Sequence, residues 1–484
     1  MAAVSSEATI ATVSSLHLEA PTNYDGILLT VDRTRAPFSG YDQWQHLREE
    51  VAQRGLLIPR NRVPAGDVAS LVVSAFQKLS PYFVETIVLK QPGDFALWYD
   101  LNGQPILSVR RDDCSVNDNI SHLGGGGDTK AVVDPVIHLR FTSNHDGFFV
   151  ASMVGITAPS LEELVKLFYG SPMNILSAMV NLPLRMERII GPATAPELAK
   201  LFKSTNSIKF GPIVADVRMG TIHSGFVDNA PALIVTPKQT RQKAAFTNID
   251  LALRELAIAE VIRKTLPQPD LHFVLMNAIV VDENLHSIYP QSAPPSSEVI
   301  AKLDTMAKLE CALQLALSLS ELHRIGIVHG NIRTKSVHIE TDPAVPNRHT
   351  CKLGGFKDAF IGDQKVINPY VHWHWRILAP EIHITLTYTK QSDVYSFGVL
   401  LWEMFSGIKM HNGKTSQKYI LESLLGERVT FEHVLASAIP SKIMQLITQC
   451  CGRSQNRPTM NGVWLTLSGI YRNHRDRAAK EEVH

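Results

Sequence analysis

The chain has 484 residues, a net charge of +1 and a composition that is 45% hydrophobic and 19% charged. This balance is typical of a globular protein of about three domains, and it favours neither a nucleic-acid-binding nor an anionic-membrane-binding class. Five cysteines without a C-x-x-C pair indicate a reducing, cytoplasmic location rather than a disulfide-rich secreted class. We expect no secretory signal, and no apolar run approaches the roughly 20 residues of a transmembrane helix.

We predict a partly disordered N-terminal tail over residues 1–45 and the first folded unit over residues 46–186. Strand-like runs occur at 93–98, 106–110, 136–141 and 147–152, with a flexible tetraglycine loop at 124–127. A helix then begins at Ser160, where Ser160 and Glu163 form a capping-box pattern.

This succession resembles a Src homology 2 domain, the module that binds phosphotyrosine. The family's G-x-F-L-V-R strand matches residues 93–98, its L-S-V-R strand matches 107–110, its histidine-bearing strand matches His138 and its S-L-x-E-L-V helix matches 160–165. The resemblance implies an α/β/α module. On the residues alone, an unrelated α+β domain stays open.

The resemblance also implies where the phosphate pocket lies. The arginine that would bind phosphate through a charge-assisted bidentate pair falls at Trp98, and the helper arginine falls at Ala65, in an opening helix that we place near residues 63–67. His138 completes the degenerate pocket. An indole has one N–H donor and no charge, so we expect this module to fold without binding phosphotyrosine in the usual way.

A linker is predicted at 187–211, a second domain at 212–476 and a C-terminal tail at 477–484. Residues 219–227 fit G-x-G-x-x-G-x-V with Ile222 at the middle glycine, which makes Gly220 and Gly225 nucleotide-loop candidates. The next strand overlays the V-A-V-K motif and ends near Lys238, an imperfect substitute for the motif's lysine. A helix follows at 248–264, with Glu255 or Glu260 in the place of the glutamate that would pair with the motif's lysine. Because Val235 stands at that lysine position, we expect either glutamate to be a solvated charge.

Four further pieces follow in order, at residues 329–336, 352–356, 379–381 and 392–398. In this order and at this spacing they resemble the C-terminal lobe of a protein kinase, closest to its tyrosine-kinase branch. The domain order resembles non-receptor tyrosine kinases of the Fes/Fer group. The expected fold is therefore α+β and multidomain, with a Src homology 2-like module followed by a bilobal protein-kinase-like fold.

The resemblance implies that the catalytic positions are degenerate. In the family they hold a phosphate-pairing lysine, a catalytic aspartate, a magnesium-binding asparagine and the D-F-G aspartate; here they are Val235, Asn331, Ser336 and Gly355. An amide does not accept the substrate's proton, and glycine offers no metal ligand. Gly330 also replaces the arginine that would bind an activation-segment phosphate, so we assign no switch role to the tyrosines at 370 and 388.

Residues with structural roles in the family are kept: His329, Phe356, Glu381, Asp393 and Arg457. The resemblance implies that His329 stacks with Phe356 and that Glu381 pairs with Arg457. It also implies that Asp393 accepts hydrogen bonds from the backbone of the His329 loop.

The expected function is that of a catalytically inactive tyrosine-kinase-like pseudokinase. It would act as a protein-interaction scaffold or allosteric regulator in a cytoplasmic phosphorylation pathway, without a cofactor. Its partners would be other signalling proteins, such as an active kinase, and not nucleic acid. Two alternatives stay open: nucleotide bound as a structural ligand, and an atypical ATP-dependent transferase that holds ATP in a non-standard pose with Asp358 as its magnesium ligand. We expect residues 372–375, H-W-H-W, to form an aromatic contact patch rather than a metal site.

Overall fold

The structure is a computed structural model. It describes residues 18–19, 28–29, 75–76, 78–100, 102–110, 136–144, 147–150, 157–158, 160–161, 188–191, 194–217, 220–238, 242–281, 285–292, 297–341, 348–367, 374–427, 431 and 439–481. Several predicted features lie outside these ranges: Ala65, the tetraglycine loop, most of the helix that begins at Ser160, Tyr370 and residues 372–373.

The chain divides into two compact units, residues 1–202 and 203–484. The centre of the first unit is a six-stranded sheet with strand order β7-β6-β5-β4-β3-β8. Its strands are β3 Asp94–Tyr99, β4 Pro105–Arg110, β5 Val136–Asn144, β6 Gly147–Val150, β7 Thr157–Ala158 and β8 Arg188–Ile189; a separate pair is formed by β1 Leu18–Glu19 and β2 Leu28–Leu29. The helices that the structure describes in this unit are α1 Pro81–Phe83, which continues as a π-helical turn over Val84–Val88, and α2 Pro196–Ala199.

The helix that leads into β3 begins at Pro81; the opening helix predicted near 63–67 lies outside the described residues. Ser80 is its N-cap and accepts a hydrogen bond from the N–H of Phe83 at 3.4 Å, and proline at the first helical position is preorganised for this turn. The predicted linker also differs from the structure. Its first residues form β8, which pairs in parallel with β3, and its last residues begin the sheet of the second unit.

The second unit opens with a five-stranded antiparallel sheet of order β12-β13-β11-β10-β9. The strands are β9 Ile208–Val217, β10 Gly220–Val227, β11 Ala230–Pro237, β12 Ala278–Val281 and β13 Leu285–Pro290, and helix α3 Gln242–Thr265 follows β11. One face of the sheet carries a buried aliphatic cluster that includes Val227, Ile234 and Val280. This burial fixes the register of the sheet, because a shift by one residue would expose the whole cluster.

The rest of the second unit is mainly helical. Among its described residues, the helices are α4 Ser297–Lys302, α5 Thr305–Arg324, α6 Ile382–Thr385, α7 Lys390–Ser406, α8 Ser416–Leu424, α9 Ser441–Cys450 and α10 Met460–Glu481. Three short strand pairs join β14 Ile327–Val328 with β17 Phe360–Ile361, β15 Val337–Thr341 with β16 His349–Leu353, and β18 Gln364–Val366 with β19 Thr387–Thr389. Helix α7 is buried along most of its length and forms the centre of this lobe.

Two details were not expected from the sequence. Helix α10 continues to Glu481, so most of the predicted C-terminal tail is helical, in keeping with the good helix formers Ala, Lys and Glu in that segment. Cys311 of α5 and Cys351 of β16 are buried and form a disulfide, with their Cα atoms 5.4 Å apart.

Candidate functional site

The candidate site is the loop between β14 and β15, which is held by one buried carboxylate of α7. Asp393 accepts hydrogen bonds from the N–H groups of His329 at 2.8 Å and Gly330 at 3.0 Å. The Tyr388 hydroxyl donates to it at 3.1 Å, and His323 Nε2 lies 2.9 Å from it. Burial alone would raise the pKa of Asp393, but the hydrogen bond and charge of His323, together with the backbone hydrogen bond and the charge of His329, outweigh burial and lower it. Asp393 therefore stays ionised and fixes the loop.

The aromatic pair at the base of the site connects the loop to the segment after β16. The His329 ring lies 4.9 Å from the Phe356 ring, and its Nε2 lies 3.1 Å from the carbonyl oxygen of Gly354. Burial lowers the pKa of His329, so its imidazole is neutral and packs as part of the core.

The residues at the base and metal positions hydrogen-bond within the loop itself. The Ser336 hydroxyl accepts from the N–H of Arg333 at 3.0 Å and lies within donating distance of the carbonyl oxygens of Arg333 and Asn331. Asn331 is half-buried, and its Oδ1 accepts no hydrogen bond from any described residue. The loop geometry thus engages Ser336 as a structural cap.

The two metal positions of the kinase resemblance are adjacent. Gly355 adopts a left-handed conformation with φ of 81°, which costs glycine no steric strain. A Cβ placed on Gly355 would lie 3.5 Å from the Cβ of Ser336, an ordinary contact. There is space for a Cβ at position 355, although the left-handed backbone would strain any other residue type. The Ser336 hydroxyl and the Gly355 hydrogen atom occupy the positions at which the family has an amide and a carboxylate for magnesium.

Gly330 is required by a close approach of two backbone segments. It has φ of 77°, and a Cβ there would lie 2.7 Å from the carbonyl oxygen of Asp358. No other residue type fits without a backbone shift, so the arginine of the family is excluded sterically. The Asp358 carboxylate interacts with the positive charges of Arg333 and Lys365.

The environment of Glu255 differs from the one predicted from the sequence. It was expected to be solvated, but it is 1% exposed on α3, and its Oε1 accepts a hydrogen bond from the N–H of Phe356 at 3.3 Å. Burial raises the pKa of Glu255, an effect that the charge of Lys357 and the Tyr289 hydroxyl partly offset. Glu260 is also mostly buried and pairs with Arg263 at 2.7 Å. Glu255 thus attaches α3 to the segment after β16 without the lysine that Val235 replaces.

The predicted nucleotide loop is a strand in the structure. Gly220 and Gly225 lie within β10, where they pair with Val217 and Phe210 of β9. A Cβ on Gly220 would lie 2.6 Å from the carbonyl oxygen of Thr236, and one on Gly225 would clash with Lys209, so close strand packing accounts for both glycines. Val235 lies opposite Ile222 in the β10–β11 pair.

Lys238 does not take the place of the missing lysine. Its ammonium nitrogen lies 3.0 Å from Asp216, and both residues are exposed. Hydrogen bonds from Lys238 and Thr221 lower the pKa of Asp216. Lys238 is therefore the partner of a surface carboxylate at the end of β9.

In the helical part of the second unit, Arg457 and Glu381 form a bidentate and largely buried ion pair. Arg457 donates from its two terminal nitrogens to Glu381 at 2.6 and 2.8 Å, and the two side chains are 1% and 25% exposed. Arg457 also donates to the carbonyl oxygens of Gln391 and Gly452, both at 2.9 Å. This geometry connects the start of α6 to the start of α10.

In the first unit, four polar side chains occupy the predicted phosphate pocket. Trp98 is fully buried, and its indole N–H donates to Ser108 Oγ at 2.8 Å. Ser108 Oγ lies 2.6 Å from His138 Nδ1, and His138 Nε2 lies 2.8 Å from a carboxylate oxygen of Glu85. Because a carboxylate only accepts, the Nε2–H of His138 donates to Glu85. In a neutral imidazole Nδ1 is then an acceptor, so the Ser108 O–H donates to it while the Ser108 oxygen accepts from Trp98.

Sequence reasoning found Trp98 and His138 but missed Ser108 and Glu85. Ser108 lies directly opposite His138 in the β4–β5 pair, so the strand register was the signal for it. Glu85 comes from the π-helical turn, which the sequence interpretation did not place. A Ser–His–Glu succession also occurs in hydrolases, but Ser108 is fully buried and its oxygen is occupied by Trp98, so no substrate reaches it.

The aromatic segment at 372–375 is described only from His374 onwards. His374 Nδ1 lies 3.2 Å from a terminal nitrogen of Arg333, and Trp375 packs against Tyr419 at 5.6 Å and under the guanidinium of Arg376. His374 leads into a single 3₁₀ turn over Trp375–Ile377. Within the described residues, no group of three or more His, Cys, Asp or Glu side chains is placed to hold a metal ion.

Comparison with known proteins supports the kinase resemblance. Residues 246–467 match the sequence family described as protein tyrosine and serine/threonine kinase. The chain is 24% identical over 307 residues to a probably inactive leucine-rich repeat receptor-like protein kinase of Arabidopsis thaliana. It is 28% identical over 181 residues to the tyrosine-protein kinase-like otk of Drosophila persimilis, and 26% identical over 171 residues to the inactive tyrosine-protein kinase 7 of Mus musculus. The chain thus contains a protein-kinase-like domain of mixed α and β structure, whose relatives include inactive kinases.

The shared regions are only part of each protein. The alignment with the plant protein covers 57% of this chain and 48% of the relative. For the fly protein these shares are 37% and 16%, and for the mouse protein 34% and 15%. Among the helices that the structure describes, none is long and apolar enough to cross a membrane.

Proposed function

We propose that this chain is a catalytically inactive, tyrosine-kinase-like pseudokinase that acts as a protein-interaction scaffold or allosteric regulator in a cytoplasmic phosphorylation pathway. The observation that carries the proposal is the pair of adjacent metal positions, 336 and 355, which offer a hydroxyl already used within the loop and a glycine. Phosphoryl transfer depends on positioning and on charge stabilisation by metal ions. Positions 336 and 355 offer magnesium no carboxylate or amide ligand, so neither the positioning nor the charge stabilisation by metal ions is available at these two positions.

In contrast, the residues with structural roles form the contacts that hold the fold together. Asp393 fixes the loop, Glu255 attaches α3 and the Arg457–Glu381 pair joins two helices. This retained framework supports a role for the shape of the domain. Its partners would be signalling proteins, such as an active kinase, recognised by the surface and not by the cleft.

The proposal is tested by phosphotransfer and by nucleotide binding. We expect the purified chain not to label itself or a tyrosine peptide with radioactive ATP, and not to be stabilised by ATP with or without magnesium in a thermal-shift titration. A matched variant combines Val235→Lys, Asn331→Asp, Ser336→Asn and Gly355→Asp, and any magnesium-dependent stabilisation by ATP should appear only in this variant. Labelling by the natural chain that Asp358→Asn abolishes would overturn the proposal in favour of the atypical transferase.

The transferase alternative has less support from the geometry. Asp358, its only nearby carboxylate candidate in our sequence interpretation, interacts with the positive charges of Arg333 and Lys365. A metal ion at Asp358 would have to compete with both cations. Stabilisation by ATP without turnover would instead support nucleotide as a structural ligand.

For the first unit we propose a Src homology 2-like module that does not read phosphotyrosine, in the domain order of the Fes/Fer group. The buried indole of Trp98 fills the position of the anion clamp, and Glu85 adds a carboxylate that would repel phosphate. Fluorescence polarisation with a degenerate phosphotyrosine peptide pool and its unphosphorylated counterpart tests this. Equal binding of the two pools is expected, and a clear phosphate-dependent gain would refute the assignment of the pocket.

A further inference from the structure

Helix α8 carries its apolar side chains on the surface. Leu421, Leu424 and Leu425 are 58%, 49% and 68% exposed. At about 100° per residue they form one continuous patch, which we call the leucine stripe. The opposite side of the helix carries Tyr419 and Ser423, which are buried. Contiguous exposed apolar side chains of this kind mark interaction surfaces.

The leucine stripe cannot turn towards the core, because the helix is fixed at both ends and along its inner side. The Tyr419 hydroxyl donates to the carbonyl oxygen of Leu378 at 2.6 Å. Thr415 caps the first turn, and the N–H of Glu427 closes the last turn on the carbonyl oxygen of Glu422 at 2.9 Å. The exposure of the stripe is therefore a property of the fold.

Two unlike charges flank the leucine stripe. Lys418 lies in the first turn of α8 and Glu427 lies just after its last turn, and both are exposed. Neither forms an ion pair with another residue in the part of the chain that the structure describes. Lys414 and Glu422, which are nearby, pair with each other at 2.6 Å and are not available.

We propose that α8 is the contact of a symmetric homodimer, in which a second copy of this chain packs its α8 antiparallel against the first. In an antiparallel pair centred between residues 422 and 423, Leu421 of each copy faces Leu424 of the other. The same register brings Lys418 of each copy opposite Glu427 of the other. A two-fold axis repeats each contact, so one helix supplies both the apolar centre and both charged ends.

Charge complementarity favours a second copy over a different amphipathic helix. Any helix with an apolar stripe could pack against the leucines. Only a helix that brings a negative charge to Lys418 and a positive charge to Glu427 would pair with both charges, and an antiparallel α8 does so. A nine-residue helix is only about 14 Å long, and stable interfaces bury about 800 Å² on each partner. We therefore expect a weak dimer whose population rises with concentration.

Sedimentation equilibrium of the full chain over a wide concentration range tests this proposal. We expect a monomer–dimer equilibrium, and Leu421→Glu should weaken it by about a hundredfold or more, because two like charges would meet at the centre of the contact. The matched control is Leu465→Glu on α10, where a single leucine is 56% exposed, and it should leave the equilibrium unchanged. Thermal unfolding of both variants should match that of the natural chain.

The charges test the orientation of the two copies. Lys418→Glu alone and Glu427→Lys alone should each weaken the dimer by about tenfold, and the double variant should restore it, because the pairs are re-formed with reversed sign. A natural chain that stays monomeric at every concentration would overturn the proposal and leave the leucine stripe to another partner. A dimer that Leu421→Glu does not weaken, or that the double charge reversal does not restore, would overturn it as well.

Discussion

Arg457→Ala should destabilise the second unit more than any surface substitution. The mutation removes four hydrogen bonds and leaves the Glu381 carboxylate without its cation. Breaking a buried ion pair from one side costs about 3–5 kcal/mol. Glu381 is 25% exposed, so water can partly solvate the stranded carboxylate, and we expect a value near the lower limit, about 3 kcal/mol.

Thermal unfolding measures this loss. Two compact units predict two transitions, and only the transition of residues 203–484 should move. For a unit of this size a loss of this magnitude lowers Tm by about 6 °C. The matched control is Arg472→Ala, an exposed arginine of α10, which should change the stability by less than about 0.5 kcal/mol.

A double-mutant cycle separates the ion pair from lost packing. Glu381→Ala leaves Arg457 almost completely buried but with its two carbonyl partners, so it should cost about as much as Arg457→Ala. The double mutant should cost much less than the sum, because no unpaired charge remains. Additive losses, or a Tm of Arg457→Ala within about 1 °C of the natural protein, would refute the argument from buried charge.

Three further predictions concern other buried groups. Burial raises the folded-state pKa of Glu255, so the contribution of this group to stability is fully present below its unfolded-state pKa and is lost as pH rises through its folded-state pKa. Glu255→Gln should therefore raise the denaturant midpoint at neutral pH but not in acid. An equal effect at both pH values would contradict this. Trp98→Phe should cost about 1–3 kcal/mol in the unfolding of the first unit, because it leaves the buried Ser108 hydroxyl without its donor, whereas an unchanged midpoint would mean that the bond contributes nothing. Gly330→Ala should accelerate hydrogen exchange of the amides at 356–361, because its Cβ would displace the Asp358 carbonyl. The matched control is Gly362→Ala, since Gly362 also has a positive φ but a Cβ there would contact no other atom within 4 Å.

The helical lobe could be predicted well because its motifs are local and their spacing is fixed. The pairing of Glu381 with Arg457 and the contact of Asp393 with the His329 loop followed from motif positions that the resemblance supplied. The buried position of Glu255 could not be predicted in this way. With Val235 in place of a lysine, sequence reasoning left the carboxylate without a partner, whereas the fold supplies a backbone N–H from Phe356.

The glycine pattern was misleading for a different physical reason. Gly220 and Gly225 have the spacing of a phosphate-binding loop, but glycine is also required where backbones approach closely within a sheet. The sequence does not distinguish these two uses. Only the strand register, in which Gly220 pairs with Val217 of β9 and with Pro237 of β11, shows that the glycines lie in the strand.

The contact between Gly330 and Asp358 limits what a redesign of this loop can achieve. An arginine at position 330 would collide with the backbone at Asp358, so this substitution alone would destabilise the fold. A phosphate-binding arginine at this position would need a second change that moves the segment after Phe356. Restoring the four catalytic side chains would therefore leave this position without the family's arginine.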